Sequence, residues 1–405
     1  MLLSTWRIGG LICALAVLTG ADWRQFRGTD TSSVAGNEAL PTSWSDQENM
    51  AWKAKLPGRG LSGPIVIGDR VYITASSGHH QDRLHVLGFD AASGKQLWER
   101  QFWATGRTMC HNKMAVATPQ PASDGLRIFA FYSSNDLACL DLDGNLLWFR
   151  GLTYDYPNAS NSLGMSSSPV VIGDTVIAQV ESDSESFAIG LDVATGLQRW
   201  KVDRPRMSNW TSPVVMRGKI SADDVVVLQS GKGLTAYDPQ TGKTAWTFDE
   251  GCSTIPSTGV GGEYLLVPSN GLTALKIDST SKNPQKLWNE DKLSPGTPSP
   301  VVADGHVYIL NKAGVLTCAS VADGKTLWQQ RVNGKGGFCA TPVVGGGNIY
   351  LFNEEGGSTV VKLGGETGEI VGSSELGEQI LATPAIANGA LYVRSHGHLF
   401  KIAAK

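Results

Sequence analysis

Strong net charge is absent from this sequence. Its 34 Lys and Arg residues nearly balance 37 Asp and Glu residues, which gives a formal net charge of −3 over 405 residues. Attraction to nucleic acid or to an anionic membrane surface requires a basic patch or stripe. Nucleic acid is therefore not expected as a partner.

The motifs of common hydrolases and nucleotide enzymes are also missing. The sequence contains no phosphate loop of the G-x-x-x-x-G-K-[ST] type, no G-x-S-x-G elbow and no H-E-x-x-H pair. Long stretches lack the 3.6-residue apolar period of helices and are rich instead in Val, Ile, Thr and Gly. These features indicate an all-β protein and give no catalytic residues.

Long apolar runs are confined to the N-terminus. Arg7 precedes an apolar run over 8–18, which small residues follow, and this pattern is typical of a secretory signal peptide over 1–21. An uncleaved anchor helix is the alternative, although the run is short for a bilayer. No later segment is apolar enough to span a membrane, so we expect a periplasmic or secreted protein.

Cysteine is scarce, and five of the six cysteines follow the predicted signal peptide. Cys139 and Cys318 fall at a small third-strand position of a repeat and are expected to be buried. Cys110, Cys252 and Cys339 fall on connections that precede an inner strand. An oxidising compartment allows one disulfide among these three, and burial as free thiols is the alternative.

The most informative feature is an internal repeat. Each unit opens with a β-branched run, usually after Ser/Thr-Pro, makes a Gly/Asp turn, and reaches an Asp, Gly and Trp at fixed spacing, as in GLDVATGLQRW (190–200). Asp bonds its own turn backbone and Gly supplies a positive φ, so these residues close a hairpin. The Trp that follows is expected on the outermost strand, packed between adjacent sheets.

The spacing of the repeat predicts an eight-bladed β-propeller of four-stranded antiparallel blades. The tryptophans that mark the units are Trp52, Trp98, Trp148, Trp200, Trp246, Trp288 and Trp328. The last stretch, 382–402, has three strands, and NMAWKAKL (49–56) has one, so the two chain ends are expected to share and close the last blade. Seven blades with a C-terminal tail is the alternative. The predicted domains are an N-terminal extension over 22–48 and one propeller over 49–405.

Segments such as LTAYDPQTGKTAW (234–246) resemble the PQQ-repeat, quinoprotein-like propellers across 49–402. That resemblance implies the fold but leaves two functions open. One is an extracytoplasmic, non-catalytic binding scaffold with a protein or carbohydrate partner and no cofactor. The other is a PQQ-dependent alcohol or sugar dehydrogenase with calcium. The dehydrogenases have adjacent cysteines beside the quinone and a calcium ligand set, and neither maps onto this sequence, so the scaffold is favoured.

Three long connections that no blade requires are the candidates for binding. They span 102–117, 151–167 and 203–210, and they are expected on the same face of the ring. Their cationic, aromatic and amide side chains suit a protein or carbohydrate partner. The alternative is that these connections only cover the edges of the blades and bind no partner. The binding-face candidates are Arg107, His111, Asn112, Lys113, Tyr154, Tyr156, Asn158, Arg206 and Trp210.

The histidines of SGHHQDRLH (77–85) form no metal-ligand spacing with acids or cysteines. We expect His79, His80 and His85 to lie in a solvated loop, and no metal site is predicted.

Overall fold

The protein is built from eight four-stranded antiparallel sheets. The computed structural model describes residues 22–160, 163–277, 283–332 and 336–404, and the predicted signal peptide over 1–21 lies outside them. Within the described residues no helix is long and apolar enough to cross a membrane. The predicted all-β propeller of eight blades is confirmed.

Blades one to four follow one another along the chain, and each runs from its inner strand to its outer strand. Their strands are, for blade one, β2 (Ile65–Ile67), β3 (Arg70–Ser77), β4 (Arg83–Asp90) and β5 (Gln96–Trp103); for blade two, β6 (Ala122–Ser123), β7 (Arg127–Phe131), β8 (Asp136–Asp141) and β9 (Leu146–Gly151); for blade three, β10 (Val170–Ile172), β11 (Thr175–Val180), β12 (Phe187–Asp192) and β13 (Gln198–Asp203); for blade four, β14 (Val214–Met216), β15 (Val225–Ser230), β16 (Gly233–Tyr237) and β17 (Thr244–Phe248).

Blades five to eight repeat this order, except that the outer strand of blade eight comes from the N-terminus. Their strands are, for blade five, β18 (Gly259–Gly261), β19 (Tyr264–Ser269), β20 (Gly271–Ile277) and β21 (Pro284–Glu290); for blade six, β22 (Val301–Ala303), β23 (His306–Leu310), β24 (Val315–Ser320) and β25 (Thr326–Arg331); for blade seven, β26 (Val343–Gly345), β27 (Asn348–Phe352), β28 (Gly357–Lys362) and β29 (Ile370–Glu375); for blade eight, β30 (Ala385–Ala387), β31 (Ala390–Arg394), β32 (His398–Ala403) and β1 (Met50–Lys55). Two short helical turns, α1 (Leu152–Asp155) and a 3₁₀ turn (Ser221–Asp223), lie in connections.

The two chain ends close the ring in blade eight. β1 pairs antiparallel with β32, with Lys53 opposite Phe400 and Lys55 opposite His398. This pairing covers a sheet edge that would otherwise be open to other chains. The predicted closure is confirmed, and the seven-bladed alternative is wrong.

The repeated Trp joins five of the blades to the next blade. In blade one, the Trp98 side chain lies on β5, and its Nε1 donates to the Leu142 carbonyl of blade two at 3.1 Å. Its ring covers Gly144 of that blade, where an added Cβ would come within 2.6 Å of the indole. The same indole-to-carbonyl bond joins other neighbouring blades, from Trp52, Trp148, Trp200 and Trp288, at 2.8–3.1 Å. The bond to the next blade's turn explains why Gly and Trp recur together.

Trp328 differs from these five tryptophans at a place where the repeat changes. Blade seven has GGETGEI in place of the usual Asp-Gly turn. Trp328 of blade six packs over Gly368 of that turn, yet its buried Nε1 has no hydrogen-bond partner among the described residues. The inter-blade hydrogen bond thus depends on the local geometry of the receiving turn.

Candidate functional site

The N-terminal segment, residues 22–48, crosses the ring and bonds to the free edges of inner strands. Trp23 exchanges backbone hydrogen bonds with Val66 of blade one at 2.9 and 3.0 Å. The Gln25 Oε1 atom accepts the Val171 N–H of blade three at 2.9 Å. Further along, Val34 bridges to Val344 of blade seven. One short segment therefore ties together blades that are distant in sequence, and it fills one end of the central channel.

The rest of the channel is a cavity of about 410 Å³. Its walls are residues that lie just before the inner strands, whereas the N-terminal segment bonds to the middle of those strands. Phe26 of that segment also lines the cavity, so its ring forms the closed end. The cavity is blind, of the size of a small-ligand site, and it opens among the connections between blades.

A ring of hydroxyl groups surrounds this cavity. Six residues, each at the same place before an inner strand, accept the backbone N–H of the equivalent residue in the preceding blade at 2.9–3.2 Å. They are Ser168, Ser212, Ser257, Ser299, Thr341 and Thr383, and all are buried. Within the described chain these hydroxyls make no other hydrogen bond, so their O–H groups remain able to donate into the cavity.

The ring of hydroxyls is interrupted at blades one and two, where the equivalent residues are Gly63 and Gln120. A Cβ at Gly63 would lie 2.2 Å from the Thr383 carbonyl oxygen and 2.6 Å from the Gln120 side-chain oxygen. The Gln120 amide instead donates to the Pro64 carbonyl at 3.0 Å, while its oxygen is buried without a partner in the described residues. Glycine is required at this position because backbone and side chain approach so closely.

The mouth of the cavity carries an ion pair between distant blades. Lys113 Nζ lies 2.8 Å from Glu354 Oε2, and the Cys339 Sγ donates to Glu354 Oε1 at 3.1 Å. Desolvation raises the pKa of Glu354, but these two hydrogen bonds outweigh it and the net direction is downward. Burial and the neighbouring carboxylate raise the pKa of Cys339 to about 12. The thiol is thus protonated at neutral pH and is a poor nucleophile.

Three of the predicted binding-face residues line the cavity: His111, Lys113 and Trp210. The Trp210 Nε1 donates to the Gly164 carbonyl at 3.0 Å, which fixes the indole across two of the long connections. Asn112 lies between His111 and Lys113, and its carbonyl accepts a hydrogen bond from Arg59. The connections of blades one and three therefore meet at one mouth.

The other candidates do not line the cavity. Arg107 borders a separate depression with His79 and His80, and Arg206 is exposed. In the connection after blade two, the Tyr156 hydroxyl donates to Gln198 at 2.6 Å and its ring packs against Phe187.

Tyr154 and Asn158 of the same connection are both exposed. The Asn158 carbonyl accepts a hydrogen bond from the Ser184 hydroxyl at 2.6 Å. Tyr156 thus stabilises blade three, while Tyr154 and Asn158 face solvent.

Sequence reasoning missed Phe26, Glu354 and the hydroxyl ring. The recurrent Ser/Thr before Pro was a visible signal for the ring, whereas nothing local marks Phe26. The prediction of a solvated loop was wrong for His85, which lies buried in β4 with its Nδ1 2.6 Å from Glu99 Oε1.

The five cysteines of the described residues are all free, and Cys139 and Cys318 are buried as predicted. No group of three or more His, Cys, Asp or Glu residues able to hold a metal ion occurs in the described part of the chain.

Known proteins with similar sequences are outer-membrane assembly factors. A family model described as outer membrane protein assembly factor BamB matches residues 20–248, 104–329 and 278–359. The outer membrane protein assembly factor BamB of Burkholderia pseudomallei (strain K96243) is 25% identical over 342 residues, which cover 78% of this chain and 77% of that protein.

The solved structures with a similar fold include enzymes as well as BamB. BamB from Moraxella catarrhalis has a TM-score of 0.63 at 19% identity and covers 88% of this chain and 97% of its own. A europium-containing methanol dehydrogenase has a TM-score of 0.68 at 14% identity and covers 93% and 90%. At these identities the structural likeness shows the fold alone.

The cavity residues do not fit a calcium-dependent quinone centre. The closed end is Phe26, and the one carboxylate among the described lining residues is Glu354, which already holds Lys113. A calcium ion takes six to eight oxygen ligands, usually with several carboxylates. We therefore assign no redox step to these residues.

Proposed function

This chain belongs to the family of the outer membrane protein assembly factor BamB, and from that membership we propose that it is an extracytoplasmic binding scaffold which receives part of a protein partner in its central cavity. The observation that carries the proposal is the blind cavity itself. It is closed by Phe26, encircled by hydroxyl groups and bordered at its mouth by long connections from several blades.

The lining of the cavity suits an extended segment of a partner protein. Apolar side chains such as Leu163, Ile255 and Trp210 supply contact area near the mouth, and the buried hydroxyl groups below them supply hydrogen-bond donors. Peptide carbonyls and carboxylates are acceptors of the matching kind. A Trp at the edge of a pocket is a frequent source of binding energy in interfaces.

A protein partner is proposed in preference to a carbohydrate because of the family. The relatives are named for outer membrane protein assembly, and this chain shares their repeat over most of its length. The extracytoplasmic location rests on the same membership and on the apolar N-terminal run with Arg7 before it. N-terminal sequencing of protein from the periplasmic fraction tests the location, and a mature chain beginning at residue 21 or 22 is expected.

Site-specific photo-crosslinking tests the binding site. A photoreactive phenylalanine analogue at Leu163 or Ile255 places the reactive group at the cavity mouth, whereas the same analogue at Leu197 or Leu327 places it on exposed turn or strand positions of the blades. The expected result, in cells of the native host, is a protein adduct from the two cavity positions and none from the two control positions.

The adduct is expected to disappear when Trp210 is also changed to Ala. Equal adducts from all four positions would contradict a specific site. Adducts confined to the control positions would place the partner elsewhere on the ring.

A further inference from the structure

The hydroxyl ring around the central cavity contains hydrogen-bond donors that have no acceptor in the described chain. Each of its six residues is at most 6% exposed, and each hydroxyl oxygen accepts one backbone N–H. The hydroxyl hydrogens are not used in these bonds, and all six residues line the cavity. A ligand that brings acceptors to the ring is therefore favoured over one that brings donors.

Free acceptors are scarce in the same cavity. Among the described lining residues, only Glu354 and Gln120 carry a carboxylate or amide oxygen. Glu354 already accepts hydrogen bonds from Lys113 and Cys339, whereas Gln120 Oε1 is buried and has no partner in the described chain. A carbohydrate needs an acceptor for each of its many hydroxyl hydrogens, and this lining supplies few of them.

The charge near the closed end of the cavity favours an anion. Arg27 is buried next to Phe26, with its Cζ 5.5 Å from the centroid of that ring. Its Nη2 donates to the Thr258 carbonyl at 2.8 Å, one residue after Ser257 of the hydroxyl ring, and no carboxylate of the described chain pairs with it. Burial lowers the pKa of Arg27 to about 9, so the guanidinium is still charged at neutral pH. An unpaired buried cation attracts negative charge placed near it.

Resting on the proposed function, we infer that the part of the protein partner which enters the cavity is its free carboxyl terminus, with the α-carboxylate on the hydroxyl ring and an apolar last side chain towards Phe26. A carboxylate only accepts hydrogen bonds, and its two oxygens take about four, so neighbouring hydroxyls of the ring suffice. The last residue of a polypeptide also carries one N–H beside the carboxylate, which matches the one free amide oxygen of Gln120. An amino terminus would bring donors to donors.

Calorimetric titration of the full mature chain tests the inference. The probes are acetyl-trialanyl-leucine with a free carboxyl terminus, the same peptide with a carboxamide terminus, and 4-methylpentanoate, which has a similar apolar group and a carboxylate but no peptide bond. The free acid is expected to bind about tenfold tighter than the amide, because charged acceptors make stronger hydrogen bonds than neutral ones. Equal affinities of acid and amide, or no binding of the acid at millimolar concentration, would overturn the inference.

The third probe separates two sources of a carboxylate. 4-Methylpentanoate is expected to bind more weakly than the peptide acid, since it lacks the N–H and the preceding residues that contact the apolar mouth. Equal binding of these two probes would assign the site to free small carboxylates and would overturn the assignment to a polypeptide terminus.

Two substitutions with opposite effects locate the carboxylate. Ser257→Ala removes one donor and should weaken binding of the acid by about tenfold, with a smaller effect on the amide. Glu354→Gln removes negative charge from the mouth and frees Lys113, so it should tighten binding of the acid by about threefold. Glu366→Gln is the control, because Glu366 is an exposed residue of blade seven that does not line the cavity.

Equal losses for acid and amide in Ser257→Ala would indicate a structural effect alone and would contradict the contact. Glu354→Gln serves if Ser257→Ala fails to fold, and unchanged binding of the acid by this variant would overturn the placement of the carboxylate.

Mass mapping of the adducts from the crosslinking experiment separates this inference from the proposed function. The crosslinked peptide of the partner is expected to be its C-terminal one. Adducts at Leu163 and Ile255 that map to internal peptides of the partner would overturn the carboxyl terminus and leave the scaffold standing. Absence of any adduct would instead contradict the scaffold, whatever the probes bind.

Discussion

The ring closure in blade eight is predicted to weaken in acid through Glu378. This residue lies between β29 and β30, and its carboxylate binds Lys53 of β1, His398 of β32 and Ser395. Desolvation raises the pKa of Glu378, but these three partners outweigh it and lower the pKa from 4.5 to about 2. Glu378→Gln preserves the shape of the side chain and removes the charge.

The magnitude follows from the two pKa values. The pKa values of Glu378 in the unfolded and folded protein differ by about 2.5. At about 1.4 kcal/mol for each tenfold change in proton affinity, the contribution of Glu378 to the free energy of unfolding has an upper bound of about 3 kcal/mol. The side chain is 24% exposed, and solvent screening reduces the contribution, so we expect about 1–2 kcal/mol. Because the pKa is lower in the folded protein, this stability is fully present above pH 4.5. It is lost as the pH falls from 4.5 towards 2.

Urea unfolding followed by Trp fluorescence measures the effect. The free energy of unfolding of Glu378→Gln is expected to lie about 1–2 kcal/mol below that of the wild type at pH 7, and this gap is expected to shrink to less than half at pH 3. Glu366→Gln is the control, since Glu366 is exposed, and it should change little. A gap of the same size at pH 3 and pH 7, or no gap at pH 7, would refute the reasoning.

Three further predictions concern the cavity and the cysteines. Gly63→Ala should lower the free energy of unfolding by about 2 kcal/mol or more in urea titration, because its Cβ would lie 2.2 Å from the Thr383 oxygen, while Gly36→Ala has open space and should be nearly neutral. Thr341→Val removes the acceptor of the Ser299 N–H and should cost about 1–2 kcal/mol in the same assay, and a loss below about 0.3 kcal/mol would contradict the role of the hydroxyl ring. Alkylation of the unfolded mature chain without reductant, followed by mass mapping, should label all five cysteines, and any cysteine pair found protected would be evidence of a disulfide.

The hydroxyl ring gives a physical reason for the Ser or Thr that precedes six of the eight inner strands. Each hydroxyl closes a hydrogen bond with the preceding blade and remains able to donate into the channel. The same side chain therefore has a structural and a surface role. Where the ring is interrupted at Gly63, Gln120 fills the space.

The sequence by itself determined the blades. Asp, Gly and Trp at fixed spacing act within one hairpin, and their effects are local, so eight units and the blade shared by the chain ends were predictable. The face bearing the long connections also followed from strand order. His85 was misplaced because its strand begins earlier than the apolar pattern indicates, and a hydrogen bond with Glu99 allows a polar residue there.

Only the tertiary structure decided what the ring encloses. Phe26, Trp210, Lys113 and Glu354 come from distant parts of the chain, and they meet at one cavity because the ring closes and the N-terminal segment crosses it. The surroundings of Arg394 could not be predicted from sequence either, since this buried residue of β31 donates to Ser62 and Thr74 of blade one, at the other end of the chain. The physical reason is the range of the interactions: hairpins depend on neighbours in sequence, whereas burial, cavity shape and charge pairing depend on neighbours in space.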